Sequence, residues 1–559
     1  MLIATFAIAG GIGMSLYWTQ IVDGSMYAAK AEKQYEKPPM QLFDRGTIFF
    51  ESKDGTRAAA ASIENGYILY INPTIIGDPE EAYKALIQYL DIDKGEFLRK
   101  ATKVDDPYEE ISSKVDEKSA DSITNLSIKG VGLIKQTWRT YPGGGLAAQS
   151  IGITGQNEEG MVVGRYGLER TYEKILARSG TAGDGNIFAE LFSEIRNSVK
   201  EVPNHEGSVV TTIEPTVQKY LEQILGNVSD TWNPDEVGGI IIDPNTGEIA
   251  ALASFPSFDP NDVSNISNPI IFSNPLVENA YEMGSIVKPL TIAVGLDTKS
   301  ITTNFTYDDT GTIVLNGKKI SNFDGRARGI IPVQEILSQS LNVGAATVAL
   351  KVGKDQFATY FKELGFGKQT GIDQPSETNG LITNLESGRD IEIATAAYGQ
   401  GVAVSPVSMT RSLSTLANGG YLVTPRLAKQ LEYSDGTIKK IAVEKSGPIF
   451  SKDTTEAVAR MLVKAYDTAL HKGDLKMEHY SVAAKTGTAQ IPDTEKRGYY
   501  QDRYLHSFFG YFPAYNPKYL VFLYQIHPKG AQYASETLAL PFSEIAKFLI
   551  DYYNIPPDR

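Results

Sequence analysis

The sequence predicts a mixed α/β (α+β) chain. Its principal domain is a mostly antiparallel sheet flanked by helices, preceded by a smaller mixed α+β domain and one N-terminal transmembrane helix. Three observations lead there. The first 22 residues carry no charge. Strand-type runs stand near residues 208–254 and again near 483–526, with a long and mostly helical stretch between them, so one sheet is assembled from distant segments. Residues 23–206 switch between short strand-like and helical periods within a mixed, polar background.

Composition sets the outer bounds. The 559 residues are 42% hydrophobic and 21% charged, which excludes a largely disordered, collagen-like or polytopic membrane chain. At about 150 residues per domain, that length fits two or three domains. A net charge of −14 argues against a nucleic-acid partner, because neutralising phosphates needs a basic face. The absence of cysteine removes disulfides, thiolate metal sites and cysteine nucleophiles. The five histidines, His205, His471, His479, His506 and His527, show no paired helical spacing, so no metal and no cofactor is expected.

Taken in order, residues 1–22 would span about 33 Å as a helix, enough to cross a bilayer, with Tyr17 and Trp18 near the headgroup layer. A cleaved signal peptide would want a basic start and a shorter apolar stretch, so an anchor is expected. Lys30 and Lys33 follow the segment and no basic residue precedes it, so charge alone does not orient it. Residues 23–206 form the next domain, with a strand at 67–71, a helix at 80–90 and loop-like stretches at 180–185 and 202–207. From 207 to 559 the pattern gives a strand at 208–213, a helix from Pro215 to 225, and a hairpin of strands 237–243 and 248–254 around Asp243-Pro-Asn-Thr-Gly247. A helical middle, 282–470, leads to strands at 483–490, 507–512 and 519–526. In the last helix Phe542, Ile545, Ala546 and Leu549 share one face.

Three short motifs carry chemistry. Ser285-Ile-Val-Lys288 opens an apolar helical run, and i, i+3 spacing puts hydroxyl and amine on one face. A serine needs a base to act as nucleophile at neutral pH, and a lysine with a lowered pKa can serve. On its own the pattern is weak, since roughly two such matches arise by chance in this length. Ser340-Leu-Asn342 precedes a helical run at 343–352 and could shuttle a proton and hold an amide, although Ser and Asn before a helix are also ordinary N-caps. Lys485-Thr486-Gly487 lies in a strand, where Lys485 supplies a cation, Thr486 a hydroxyl, and Gly487 leaves the edge clear for substrate. The cluster Tyr499-Tyr500-Gln-Asp-Arg-Tyr504 falls in the loop expected after that strand, where it could touch substrate, with loop packing the preferred reading.

The three motifs together match the signature of β-lactamases and penicillin-binding proteins. The segments DPNTGEIAALASFPSFDPND (243–262), YEMGSIVKP (281–289), LGFGKQTGID (364–373), AAYGQGVAVSPVSM (396–409) and VGRYGLERTYEKIL (163–176) extend the likeness. The chain resembles the class B penicillin-binding proteins, monofunctional peptidoglycan D,D-transpeptidases. FDRGTIFFESKDG (43–55) resembles a membrane-proximal motif of that family, from which Glu51 and Ser52 depart, and Met283 stands where the family usually has proline.

The resemblance implies a pedestal domain of the dimerisation type over 23–206 and a serine-transpeptidase, β-lactamase-like domain over 207–559. It implies stem peptides ending in D-Ala-D-Ala as substrate and covalent inhibition by β-lactams. Ser285 would attack, Lys288 would take its proton, Ser340 would pass a proton to the leaving D-Ala, and Asn342 would position the donor. Lys485, Thr486 and Thr488 would bind the terminal carboxylate, and the backbone N–H groups of Ser285 and Thr488 would form the oxyanion hole. The implied place is the cytoplasmic membrane, single-pass with the catalytic domain outside, beside a glycosyltransferase of the SEDS type and divisome or elongasome proteins, with a lean to the septal branch. The alternatives are a β-lactamase or D,D-carboxypeptidase with the same motifs, and a non-catalytic β-lactam sensor or divisome scaffold. The anchor and long pedestal favour a fixed synthase over a free hydrolase, and the full set of reactive residues disfavours a scaffold.

Overall fold

The computed structural model describes residues 44–103, 106–178, 206–264, 266–493, 495–496 and 498–559. The anchor expected at 1–22, the loop at 180–185 and most of that at 202–207 lie outside the described residues. Among the described residues no helix is long and apolar enough to cross a membrane.

The chain divides into two compact units. Among the described residues one takes 44–45, 63–138 and 177–178, and the other takes 46–62, 139–176 and the chain from 206 to 559. The segments 46–62 and 139–176 thus group with the C-terminal part, where sequence places a single cut near Glu206. Pairing gives the reason: within the larger unit the strand Gly207–Thr211 lies parallel to Ile48–Glu51 and antiparallel to Ala428–Tyr433.

In the smaller unit the later half of the strand Arg57–Ile71 pairs with Glu109–Val115. Helices Pro79–Leu86 and Lys94–Ala101 start where Asp78 and Asp93 accept backbone N–H groups of Glu80 at 2.8 Å and Glu96 at 2.7 Å. Leu69, Leu86, Phe97, Val115 and Ile123 close its core.

The larger unit is built on a five-stranded sheet. Its strands are β1 (Glu236–Ile242), β2 (Ile249–Phe255), β3 (Ala483–Pro492), β4 (Tyr499–Phe512) and β5 (Tyr519–Ile526), in the spatial order β3-β4-β5-β1-β2. Every neighbouring pair is antiparallel. Side chains alternate between two cores, as a strand's period of two requires: Ile241, Phe508, Val521 and Leu523 face one, and Ile240, Phe509, Phe522 and Tyr524 the other. The first core is covered by α1 (Pro215–Trp232) and the terminal helix, Ala539–Tyr553. On the opposite face pack α2 (Lys288–Asp297), α3 (Asn342–Val352) and α4 (Lys452–Thr468). The strand β3 forms one edge of the sheet.

The helical middle expected over 282–470 is interrupted. Strands Thr306–Asp309 and Gly329–Pro332 pair with each other, and Thr312–Leu315 pairs with Lys318–Ser321. Asn316 and Gly317, both at positive φ (48° and 74°), make the tight turn of that inner hairpin. An Asn-Gly between alternating residues is a readable hairpin signal that the helical reading passed over. The strand expected at 507–512 begins at Tyr499, so the tyrosine cluster at 499–504 is strand and not loop.

Phe542 is fully buried on the terminal helix, stacked on Phe508 at 4.6 Å and edge-on to Tyr466 at 6.3 Å between ring centroids. Replacing Phe542 with Ala is expected to cost about 3–5 kcal/mol, read as a lowered urea midpoint.

Candidate active site

Ser285 sits in a one-turn 3-10 segment, Gly284–Val287, that runs into α2 at Lys288, with Pro289 in its first turn where a missing N–H costs nothing. Gly284 holds φ at +64° and donates its N–H to Gly399 O at 3.1 Å, and an added Cβ would meet Thr488 O at 3.0 Å. The turn is therefore pressed against β3. Met283, in place of the family's usual proline, is buried, and its carbonyl accepts from Ser507 Oγ at 2.7 Å.

Ser340 and Asn342 bracket the start of α3. Neither caps it: Leu341 is the N-cap residue, and neither Ser340 nor Asn342 accepts a backbone N–H of the first turn. Ser340, at φ +57°, instead presents its hydroxyl to two amines. Lys288 Nζ donates to Ser340 O at 2.6 Å and lies 3.2 Å from Ser340 Oγ, while Lys485 Nζ lies 3.1 Å from the same Oγ and 2.9 Å from Thr486 O. Asn342 Nδ2 donates to Ser321 O at 3.0 Å, on the inner hairpin.

Electrostatics follow from this crowding. Lys288 is fully buried, and loss of hydration, then repulsion from Lys485, hold its amine well below the usual lysine range. Burial brings Lys485 down to about 7. A neutral amine has two N–H groups and one lone pair; Ser340 can occupy both N–H groups of Lys288, leaving the lone pair to accept a proton. A charged Lys485 has three N–H groups, of which the two contacts above use two, leaving one for an anion.

The cleft, about 800 Å³, is lined by Ser285, Ser340, Asn342, Lys485, Thr486 and Thr488, so the structure brings these expected residues together. Gly487 is buried one layer behind. A Cβ there would meet Ser507 Oγ at 2.3 Å and Met283 O at 2.7 Å. Its lack of a side chain thus allows β3 to approach the Ser285 turn, which corrects the expectation that it clears room for substrate. Thr488 Oγ1 accepts from Ala534 N–H at 3.1 Å, which leaves the hydroxyl proton free to donate into the cleft.

Several residues here were not singled out in the sequence. Ser507 ties β4 to the Met283 carbonyl. Asn322 accepts from Val343 N–H at 3.1 Å and donates to Asp309 at 2.9 Å, fixing the hairpin against the start of α3. Of the tyrosine cluster noted in the sequence, Tyr504 lines the cleft and Tyr499 OH bonds to Glu282 at 3.0 Å. No local pattern announces such contacts, although the hairpin's Asn-Gly would have located Asn322.

Comparison with known proteins places these features. Residues 237–547 match the penicillin binding protein transpeptidase domain, and residues 44–212 the penicillin-binding protein dimerisation domain. The chain is 28% identical over 543 residues to stage V sporulation protein D of Bacillus subtilis (strain 168), covering 95% of this chain and 81% of that protein. It is 24% identical over 456 residues to peptidoglycan D,D-transpeptidase FtsI of Escherichia coli (strain K12), covering 80% and 73%. The crystal structure of penicillin binding protein 2X from Streptococcus thermophilus shares the fold, with a TM-score of 0.75 at 20% identity over 91% of this chain and 79% of that one.

The packing at Gly487 is directly testable. Gly487→Ala is expected to cost about 1–3 kcal/mol in thermal or chemical denaturation, because the new methyl overfills a closed contact. It should also slow reaction at Ser285 on the order of 100-fold, as displacement of the turn by about 1 Å would.

Proposed function

The chain belongs to the penicillin-binding protein transpeptidase family, and from that premise we propose that Ser285 is the nucleophile of its acyl transfer. The protein is a serine-type D,D-transpeptidase acting on peptidoglycan stem peptides. The observation that carries the residue assignment is the sharing of Ser340 Oγ by two buried lysines beside the Ser285 turn.

In this mechanism Ser285 Oγ attacks the carbonyl carbon of the penultimate D-Ala, and its proton passes to the lone pair of Lys288 Nζ. Backbone N–H groups of Ser285 and Thr488 hold the oxyanion. As the tetrahedral intermediate collapses, the C–N bond breaks and the terminal D-Ala leaves with a proton delivered through Ser340 Oγ. The amine of a second stem peptide then attacks the ester carbonyl, gives up a proton to the same relay, and releases Ser285. Asn342 positions the donor amide. Lys485, with Thr486 and Thr488, grips the terminal carboxylate, and a β-lactam carrying a carboxylate uses the same grip. The edge of β3 that pairs with no further strand offers backbone groups along which an extended peptide can lie.

Residues 1–22 serve as a single membrane anchor and residues 23–206 as a pedestal, with the catalytic domain, 207–559, outside the cytoplasmic membrane. This reading rests on the uncharged N-terminal stretch and on family membership. Glycan polymerisation belongs to a partner of the SEDS type within a divisome or elongasome assembly, and the septal setting is preferred. A lone carboxypeptidase or β-lactamase is the weaker reading, because the dimerisation-domain match spans 44–212.

Fluorescent penicillin tests the nucleophile: Ser285→Ala is expected to abolish covalent labelling of a protein that otherwise unfolds normally, and label retained on another serine would refute the assignment.

The pH profile tests the carboxylate grip. Lys485 is charged below about 7 and neutral above it, so acylation per unit concentration by a carboxylated β-lactam should fall as pH rises through about 7. The methyl ester of the same compound should lack that alkaline limb, and identical limbs for both would remove Lys485 from carboxylate binding.

A further inference from the structure

His506 is fully buried on β4 and takes no part in the steps above. It is paired in register with Thr488 of β3 on one side and with Gln525 of β5 on the other, so the three stand in one row across the sheet. Both of its ring nitrogens reach the turn at 532–537. Nε2 lies 3.1 Å from Gln532 O and Nδ1 lies 2.9 Å from Thr537 Oγ1. A carbonyl only accepts, so Nε2 carries the proton, and Nδ1 of a neutral ring then accepts from the Thr537 hydroxyl. Burial pulls the His506 pKa down to about 4, so the ring is neutral at physiological pH.

Between those two anchors stands Ala534, whose N–H occupies a lone pair of Thr488 Oγ1 at 3.1 Å. Glu536 fixes the shape of the turn from within, accepting the N–H groups of Gln532 at 3.1 Å and Tyr533 at 2.8 Å. The histidines tie it to other elements: His506 to the sheet, and His471, beyond α4, through Nε2 to Ser535 O at 2.6 Å. We propose that His506 is a positioning residue for the carboxylate grip, holding the turn 532–537 so that Ala534 keeps the Thr488 hydroxyl aimed into the cleft. The proposal rests on the transpeptidase reading above and adds to it a residue that touches no substrate. Without the ring the turn loses both ties to β4, and Ala534, midway between them, is free to shift. A shift of about 0.5 Å takes its bond to Thr488 beyond hydrogen-bond range. The released hydroxyl can then rotate and donate to a backbone carbonyl instead of a substrate carboxylate. The turn also carries Tyr533, which borders the cleft, and this sets the competing outcome: displacement of that ring alone would hinder every substrate alike.

The test compares benzylpenicillin with its methyl ester. Acylation of Ser285 per unit concentration is measured at about pH 6, where Lys485 is charged and His506 neutral, and the ratio of acid to ester is the readout. Thr488→Val is expected to lower that ratio by about 10-fold, the range of one hydrogen bond to a charged group. His506→Leu should lower it by a similar factor. The double variant should fall no further than either single one, because both remove the same bond. His506→Gln, whose amide can still donate to Gln532 O, should stay within about 3-fold of the unaltered protein. If His506→Leu shows no cooperative unfolding, Thr537→Val is read in its place; it frees only the Nδ1 end and should lower the ratio about 3-fold. An unchanged ratio in the folded variant, with acid and ester slowed together, overturns the proposal and leaves His506 acting through Tyr533. Factors that multiply in the double variant, a ratio as low in His506→Gln as in His506→Leu, or a ratio untouched by Thr488→Val each overturn it too. Failure of the parent reading looks different: the unaltered protein reacts equally with acid and ester, or penicillin fails to label Ser285.

Discussion

Two buried amines sharing one hydroxyl is the constraint on which the catalytic cleft depends. Lys288 and Lys485 both lie within 3.2 Å of Ser340 Oγ, and two full charges so close together and so far from water would repel strongly. The arrangement is tolerable only if one amine is neutral. Lys288, fully buried and beside a second cation, is the one driven to lose its proton, which is the state a general base needs. Burial leaves Lys485 near the boundary between its charged and neutral forms. A bound carboxylate would favour the charged one.

That conflict is held in place by close packing. Ser285 and Lys288 come with the turn before α2, Ser340 with the residue before α3, and Lys485 with the edge strand β3. Gly487 and Gly284 bring strand and turn together where any side chain would separate them. Ser507, on the neighbouring strand, fastens the Met283 carbonyl from behind. The sheet beneath is buried on both faces, so its strands are fixed by two cores at once and the edge cannot drift relative to the helices.

Around this centre the polar contacts position more than they react. Asn322 couples the inner hairpin to the first turn of α3, and so sets where Asn342 and Ser340 stand. Ala534 takes the acceptor lone pair of Thr488, which turns that hydroxyl outward as a donor. Tyr499 OH holds the Glu282 carboxylate, three residues before Ser285.

The sequence by itself marked the candidate reactive residues, Ser285, Lys288, Ser340, Asn342, Lys485 and Thr488, because each lies in a short-range pattern of functional groups. It also determined the hairpin at Asp243–Gly247 and the strands and helices with clean periods, since alternation and amphipathy are local properties. It misjudged the stretch between, where the Asn316-Gly317 hairpin breaks a helical reading, and it took the strand beginning at Tyr499 for a loop. Only the tertiary structure decided that Ser340 answers two lysines and caps nothing, that Gly487 serves packing behind the cleft, and that Tyr499 OH bonds to the Glu282 carboxylate. The physical reason is common to all three. A buried group's protonation, and the purpose of a missing side chain, depend on neighbours from distant parts of the chain, and those neighbours exist only once the strands and helices have packed.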